Sequence, residues 1–137
     1  MTVAENPLYK DLVKQFGDAL HDAAFITEKP KQIISVSPKI DLALGGGVPE
    51  GSLFIMTGPE KIGKTVTALS FCANAQSQER FVYYGNIEGR LKKRDLEGIR
   101  ELQLGPEQFQ MVGSSEGNIL SGEDYLGIFD KVVHGHP

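Results

Sequence analysis

The sequence predicts an α/β fold in which a mostly parallel sheet is covered by helices on both faces. Strand-like runs alternate with helix-like segments from residue 52 onward, and this alternation is typical of parallel sheets. The run at 52–57 (SLFIMT) is largely apolar, as expected of a strand buried on both faces. Six glycines fall between residues 45 and 63, so unusual backbone conformations are expected on both sides of that strand.

The first part of the chain predicts a helical arm. Asn6-Pro7 is a helix start signal, and apolar residues from Leu8 to Ala23 follow helical spacing. The segment 28–31 (EKPK) reads as a linker, and the β-branched run at 32–36 as a short strand. We therefore expect an arm at residues 1–30 and an α/β core at residues 31–137.

The core elements follow in order after the first strand. Ser37-Pro38 starts a brief helix that ends at the glycines 45–47, and 49–51 (PEG) predicts a turn. Beyond the strand at 52–57, the periodicity predicts helices at 64–77, 91–102 and 122–133 and strands at 81–84 and 110–112.

Composition excludes several classes of protein. With 137 residues, 40% hydrophobic and 23% charged, the chain has the usage of a single globular domain rather than a disordered one. It has no apolar run of membrane-spanning length and no secretory signal pattern, so no membrane partner is expected. One cysteine, Cys72, and a net charge of −4 favour a cytoplasmic protein without a bulk basic surface.

Residues 58–65 (GPEKIGKT), called here the glycine loop, match the phosphate-binding pattern G-x-x-x-x-G-K-[ST]. Two glycines let backbone N–H groups turn toward phosphate oxygens, and the helix that follows adds its positive end. Lys64 is expected to reach the β- and γ-phosphates, and Thr65 to ligate Mg²⁺. The candidate nucleotide-binding residues are Gly58, Pro59, Glu60, Lys61, Ile62, Gly63, Lys64, Thr65 and Val66.

The segments around the glycine loop resemble the RecA family of recombinases. The stretch 37–60 (SPKIDLALGGGVPEGSLFIMTGPE) is similar to the family's glycine-rich segment and the strand before its loop. Residues 81–88 (FVYYGNIE) look like the second core strand, and 100–105 (RELQLG) like the helix end after it. The resemblance runs in order from about residue 10 to 113, and its phage-type (UvsX-like) branch fits as well as the bacterial one.

The resemblance implies a RecA-like nucleotide-binding core that uses ATP and Mg²⁺. Glu88 matches the glutamate that activates the attacking water, and Lys64 and Thr65 match the phosphate-binding lysine and the Mg²⁺ ligand. Asn86 stands where many relatives have aspartate. The family's adenine-stacking tyrosine has no counterpart, so Arg90 and Arg94 are the candidate adenine contacts, since guanidinium planes stack on aromatic rings.

The resemblance covers only the front of such a core. A later apolar strand ending in an Mg²⁺-orienting aspartate, together with the family's DNA-binding loops, has no counterpart here. We therefore expect an incomplete core with weak or no ATP hydrolysis by itself. The complete protein would form filaments on single-stranded DNA and drive strand exchange. The arm would dock on a neighbouring protomer, and a C-terminal fragment would be a further partner.

Two other functions fit the same residues. One is a RecA-core motor, such as a RadA-like repair ATPase or a replicative helicase. The other is a non-catalytic module that binds nucleotide or a protomer surface and so regulates an intact recombinase. The lesser signals favour structural roles: the basic run 90–94 is a solvated helix start, Cys72 packs in a helix, and His134 and His136 lack further metal ligands.

Overall fold

The structure is a computed structural model that describes residues 6–20 and 32–135. These residues form two units, with the boundary between Gln32 and Ile33. The predicted linker at 28–31, the end of the predicted first helix at 21–23 and His136 lie outside the described residues. None of the helices in the described ranges has the length and apolarity needed to cross a bilayer.

In the first unit, helix α1 (Pro7–Phe16) begins as its sequence predicts. The Asn6 side chain accepts a hydrogen bond from the Leu8 N–H at 2.9 Å and caps the helix. The expected continuation of the α-helix beyond Phe16 is wrong, because a 3-10 turn occupies Gly17–Ala19. Glycine is a poor helix former, which explains why the α-helix ends at this position.

The second unit opens with a small antiparallel pair. Strand β1 (Ile33–Ile34) pairs with strand β2 (Val48–Pro49), and helix α2 (Pro38–Leu44) lies between them in the chain. The predicted turn therefore starts one residue too early, because Pro49 belongs to a strand. The chain returns alongside β1 through Gly46 and Gly47, both with φ of 134°, a conformation open to glycine but strained for other residues.

The remaining elements of the second unit are helix α3 (Lys64–Gln76), strand β3 (Val82–Gly85), helix α4 (Lys93–Glu97), strand β4 (Phe109–Val112) and helix α5 (Gly122–Gly135). β3 and β4 are parallel, with Val82 opposite Phe109 and Gly85 opposite Val112. The helix expected at 91–102 is shorter because Gly98 ends α4 and Glu101 takes a φ of 67°.

The apolar core of the second unit gathers around α3 and the parallel pair. Its buried members among the described residues are Val36, Val48, Leu69, Ala73, Ala75, Val82, Phe109 and Tyr125. α5 lies close against β3, since a Cβ atom on Gly85 would stand 3.0 Å from the Phe129 ring. The Tyr125 hydroxyl accepts a hydrogen bond from the Ser114 N–H, which holds α5 to the loop after β4.

The strand expected at 52–57 is absent, which corrects the predicted sheet. Leu53 is 88% exposed and Ile55 is 72% exposed. A strand requires hydrogen-bonded neighbours, and within the described ranges β3 and β4 pair only with each other. The described sheets are therefore two pairs, one antiparallel and one parallel, rather than one parallel sheet flanked by helices on both faces.

Asp41 of α2 binds the segment after β1, and α3 contacts the same segment. Its carboxylate accepts hydrogen bonds from the Ser35 hydroxyl at 2.5 Å and from the Val36 N–H at 2.8 Å. The Asn74 amide of α3 donates to the Ser35 carbonyl at 2.8 Å. The hydrogen bonds from Ser35 and Val36 hold the pKa of Asp41 below its ordinary value of 3.8.

We expect Asp41→Asn to lower the midpoint of urea unfolding at neutral pH. Because the folded-state pKa of Asp41 is lowered, its stabilising effect is present above pH 3.8 and is lost as the pH falls below that value. The gap between wild type and variant should therefore shrink from about pH 6 to about pH 3. A gap that stays constant over this range contradicts the prediction, and Glu107→Gln, at an exposed carboxylate, is the control.

Candidate nucleotide-binding site

The glycine loop leads from the exposed segment 52–57 into α3. Gly63 lies in the left-handed region with φ of 98°, whereas Gly58 does not. Lys61 is also left-handed, with φ of 59°, a conformation that costs a non-glycine residue about 1 kcal/mol. The tight curl of the loop therefore rests on Lys61 and Gly63 rather than on both glycines of the pattern.

The Lys64 side chain folds back over the loop. Its ammonium group donates hydrogen bonds to the carbonyl oxygens of Gly58 and Pro59, at 2.7 and 2.6 Å. These bonds place the charge of Lys64 at the start of the loop. An anion bound in the loop would therefore lie close to an ammonium group that is already positioned at the first residues of the loop.

The first turn of α3 is suited to an anion. Gly63 occupies the N-cap, no side chain caps the helix, and the first turn contains no acidic residue. The leading N–H groups of a helix lack intrahelical partners, and the positive end of the helix dipole favours negative charge. Lys64 adds a second positive charge at this end, so the helix start is more favourable for an anion than an acid-capped one.

Glu88 lies in a turn directly after the carboxyl end of β3. The Asn86 N–H donates to the Val112 carbonyl of β4 at 2.8 Å, which extends the parallel pairing by one bond. The Gly89 N–H donates to the Asn86 carbonyl, and Gly89 has a φ of 63°. This turn presents Glu88 as an exposed carboxylate at the edge of the sheet where parallel-strand proteins bind their ligands.

A cavity of about 650 Å³ lies between α3 and the residues that follow β3. Its apolar lining includes Val66, Leu69, Tyr84, Ile87 and Leu91. Its polar lining is formed by Thr65, Asn86, Glu88, Arg90 and Asp95. The start of α3 and the Glu88 turn, more than twenty residues apart in sequence, therefore meet at one cavity.

Two weakly acidic groups near the cavity stay protonated at neutral pH. Burial raises the pKa of Tyr84, and repulsion from the Cys72 thiolate, which forms only at alkaline pH, and from the Glu88 carboxylate raises it further. Burial also raises the pKa of the Cys72 thiol from 9.0 to about 11. A protonated thiol is a poor nucleophile and metal ligand, which agrees with the packing role expected for this cysteine.

The structure separates the two arginines expected at the adenine. Arg90 lines the cavity, whereas Arg94 does not; it lies 3.8 Å from the Asp95 carboxylate and is 80% exposed. Lys93 pairs with Glu97 at 3.4 Å and is exposed, so the expected solvated helix start describes Lys93 and Arg94 but not Arg90. His134 contacts Asp130, and the described part of the chain contains no cluster of three or more metal-binding side chains.

Sequence reasoning missed Asp95 and Tyr84 as parts of the cavity. The Asp95 carboxylate accepts a hydrogen bond from the Lys92 N–H at 2.8 Å at the start of α4. An acidic residue in the first turn of a helix is a common stabilising feature, but it does not indicate that the side chain lines a cavity. Tyr84 belongs to the apolar run 81–84, and nothing in that run indicates which of its side chains face the cavity.

No protein-family model matches the chain, and no solved structure matches it. Curated proteins do match, each under the name Protein RecA. The one from Bifidobacterium longum is 32% identical over 88% of the chain, that from Streptomyces venezuelae 31% over 94%, and that from Rippkaea orientalis 46% over 90%.

The chain spans 29 to 32% of the length of these three relatives. The identity extends over most of the chain, so it is not restricted to the glycine loop, a pattern that many unrelated nucleotide-binding proteins share. It agrees with the resemblance found in the segments on both sides of the loop. The similarity identifies the chain as a sequence of the RecA family.

Proposed function

We propose that the chain is the ATP-binding portion of a RecA-like DNA recombinase. The observation that carries the proposal is the meeting of Thr65, at the start of α3, and Glu88, after β3, at one cavity beside the glycine loop. The family similarity supports the same function. The proposed core is the parallel α/β sheet of that family, completed by strands beyond those described.

In this proposal the glycine loop holds the phosphates of ATP. The backbone from Gly58 to Gly63 and the leading N–H groups of α3, including those of Thr65 and Val66, donate to phosphate oxygens. Lys64 exchanges the carbonyl oxygens of Gly58 and Pro59 for the β- and γ-phosphates. This exchange replaces neutral acceptors with charged ones, and charge-assisted hydrogen bonds are the stronger kind.

The residues present fit a magnesium ion that is shared with ATP. Mg²⁺ keeps several waters and takes only one or two protein oxygens together with substrate phosphates. The exposed Thr65 hydroxyl at the start of α3 is such an oxygen, and no larger ligand cluster is required. Bound Mg²⁺ would neutralise charge on the phosphate oxygens, while Thr65 holds it at the helix start.

Glu88 is the proposed general base. Glu88 lines the same cavity as Thr65, and in this proposal its carboxylate accepts a proton from a water that attacks the terminal phosphate. Lys64 would stabilise the negative charge that develops on the transferred phosphoryl group. Arg90 is the proposed contact for the adenine, since Arg90 is among the residues that line the cavity whereas Arg94 is not.

Single-stranded DNA binding, filament formation and strand exchange are proposed for a protein of full RecA length. The chain spans about three tenths of its relatives, and its net charge of −4 offers no bulk attraction for DNA. We propose that the helical arm docks on a neighbouring protomer. A polypeptide that supplies the remaining length is the second proposed partner.

Binding of a fluorescent ATP analogue in the presence of Mg²⁺ tests the proposal. Lys64→Ala removes the charged donor to the phosphates, so the dissociation constant should rise by about 10- to 100-fold. Lys131→Ala, at an exposed lysine of α5 outside the cavity lining, should leave it unchanged. Equal affinities of wild type and Lys64→Ala would contradict phosphate binding at the glycine loop.

A further inference from the structure

The glycine loop contains two lysines that differ in their hydrogen bonding. Lys64 is engaged, with its ammonium group hydrogen-bonded to the Gly58 and Pro59 carbonyls. Lys61 is exposed, and it makes no hydrogen bond or ion pair with any of the described residues. The two lysines of this loop therefore lie three positions apart, and only Lys64 has a hydrogen-bond partner among the described residues.

Lys61 also has an unusual backbone. Its φ of 59° lies in the left-handed region, and the side chains there are usually glycine, asparagine or aspartate. Glycine would satisfy this turn without strain. The loop thus carries a long cationic side chain at a position where the backbone favours glycine, which suggests that the charge serves the loop's ligand rather than its folding.

We propose that Lys61 is a capture residue for the polyphosphate of the incoming nucleotide. This inference rests on the proposed function of the glycine loop and adds a role for a second lysine. The free ammonium of Lys61 attracts the triphosphate first, while Lys64 is still bonded to the loop carbonyls. Lys64 then leaves Gly58 and Pro59 and takes up the β- and γ-phosphates.

Electrostatics sets the size and the salt dependence of this effect. One unit charge about 10 Å from a triphosphate speeds association by roughly two- to fivefold at low ionic strength. The effect disappears near 1 M salt, where the Debye length is about 3 Å. Lys61 should therefore change the association rate constant of the nucleotide and leave its dissociation rate constant nearly unchanged, whereas Lys64 should change dissociation.

The test is stopped-flow binding of a fluorescent ATP analogue with Mg²⁺ to the whole chain, at low and at high salt. Lys61→Ala should associate two- to fivefold more slowly than wild type at low salt and equally fast at high salt. Lys61→Arg keeps the charge and should restore the wild-type rate. Lys131→Ala is the control for loss of a lysine elsewhere and should match wild type.

Lys61→Gly separates charge from backbone strain. It removes the charge but also relieves the left-handed strain. It should therefore bind the nucleotide as slowly as Lys61→Ala does, and it should unfold at a higher urea concentration than Lys61→Ala. The capture role alone would be overturned by either of two results at low salt. One is a wild-type association rate in Lys61→Gly, and the other is a wild-type association rate in Lys61→Ala. A wild-type chain that binds no nucleotide would overturn the proposed function, and the capture role with it.

Discussion

Replacing Glu88 by glutamine is expected to slow ATP hydrolysis by about 100- to 10,000-fold, the range measured for loss of a general base. Glutamine has nearly the shape of glutamate but does not accept the proton of the attacking water. Nucleotide affinity should stay within about threefold of wild type, because phosphate binding is assigned to the glycine loop instead. The measurement is DNA-stimulated ATPase activity in a protein of full RecA length that contains this chain.

Asp95→Asn is the matched control for Glu88→Gln. It removes a carboxylate from the lining of the same cavity, but that carboxylate already caps the Lys92 N–H and serves the start of α4. We expect its effect on the maximal rate to stay below about tenfold. If Glu88→Gln hydrolyses ATP at the wild-type rate while binding it normally, the catalytic role is wrong, and a non-catalytic interaction module becomes the better reading.

Replacing Gly47 by alanine is expected to destabilise the second unit by on the order of 3 kcal/mol. Gly47 has a φ of 134°, which strains any residue with a side chain. A Cβ atom at this position would also stand 2.5 Å from the Ile34 carbonyl oxygen, a backbone atom of β1. The measurement is the free energy of unfolding in urea, which should fall together with the β1–β2 pairing.

Gly46→Ala is the comparison that separates backbone strain from the contact between the added Cβ atom and the Ile34 carbonyl oxygen. Gly46 has the same φ of 134°, but its Cβ atom would meet only the Ile33 side chain at an ordinary 3.8 Å. Both variants carry the backbone strain, and Gly47→Ala alone carries the backbone clash. Gly47→Ala should therefore be less stable than Gly46→Ala by about 1 to 3 kcal/mol. Equal losses would show that strain alone accounts for both effects.

Local features of the structure were predictable because short stretches of sequence determine them. The Asn6-Pro7 start of α1 depends on two adjacent residues, and the start of α3 on the pattern of the glycine loop. Strands β3 and β4 begin or end within a residue or two of their predicted bounds. The end of α4 at Gly98 is also a local effect, although the apolar periodicity alone predicts a helix through residue 102.

The candidate site was predictable in its parts but not in its assembly. The glycine loop and Glu88 carry sequence signals, one from a phosphate-binding pattern and one from a family resemblance. Nothing in the sequence states which of two nearby arginines lines the cavity, because this depends on the turn between β3 and α4. Nor could the pattern reveal that Lys64 bonds to the loop's own carbonyls while Lys61 has no such partner in the described part of the chain.

By itself, the sequence determined where the proposed chemistry lies: a loop with the phosphate-binding pattern, a helix that begins at it, and a carboxylate after the next strand. Only the tertiary structure decided whether residues 52–57 form a strand. Their apolar composition is that of a buried strand, yet Leu53 and Ile55 are largely exposed. The reason is physical, because a strand exists only where neighbouring strands supply hydrogen bonds, whereas a helix such as α3 closes its hydrogen bonds within its own segment.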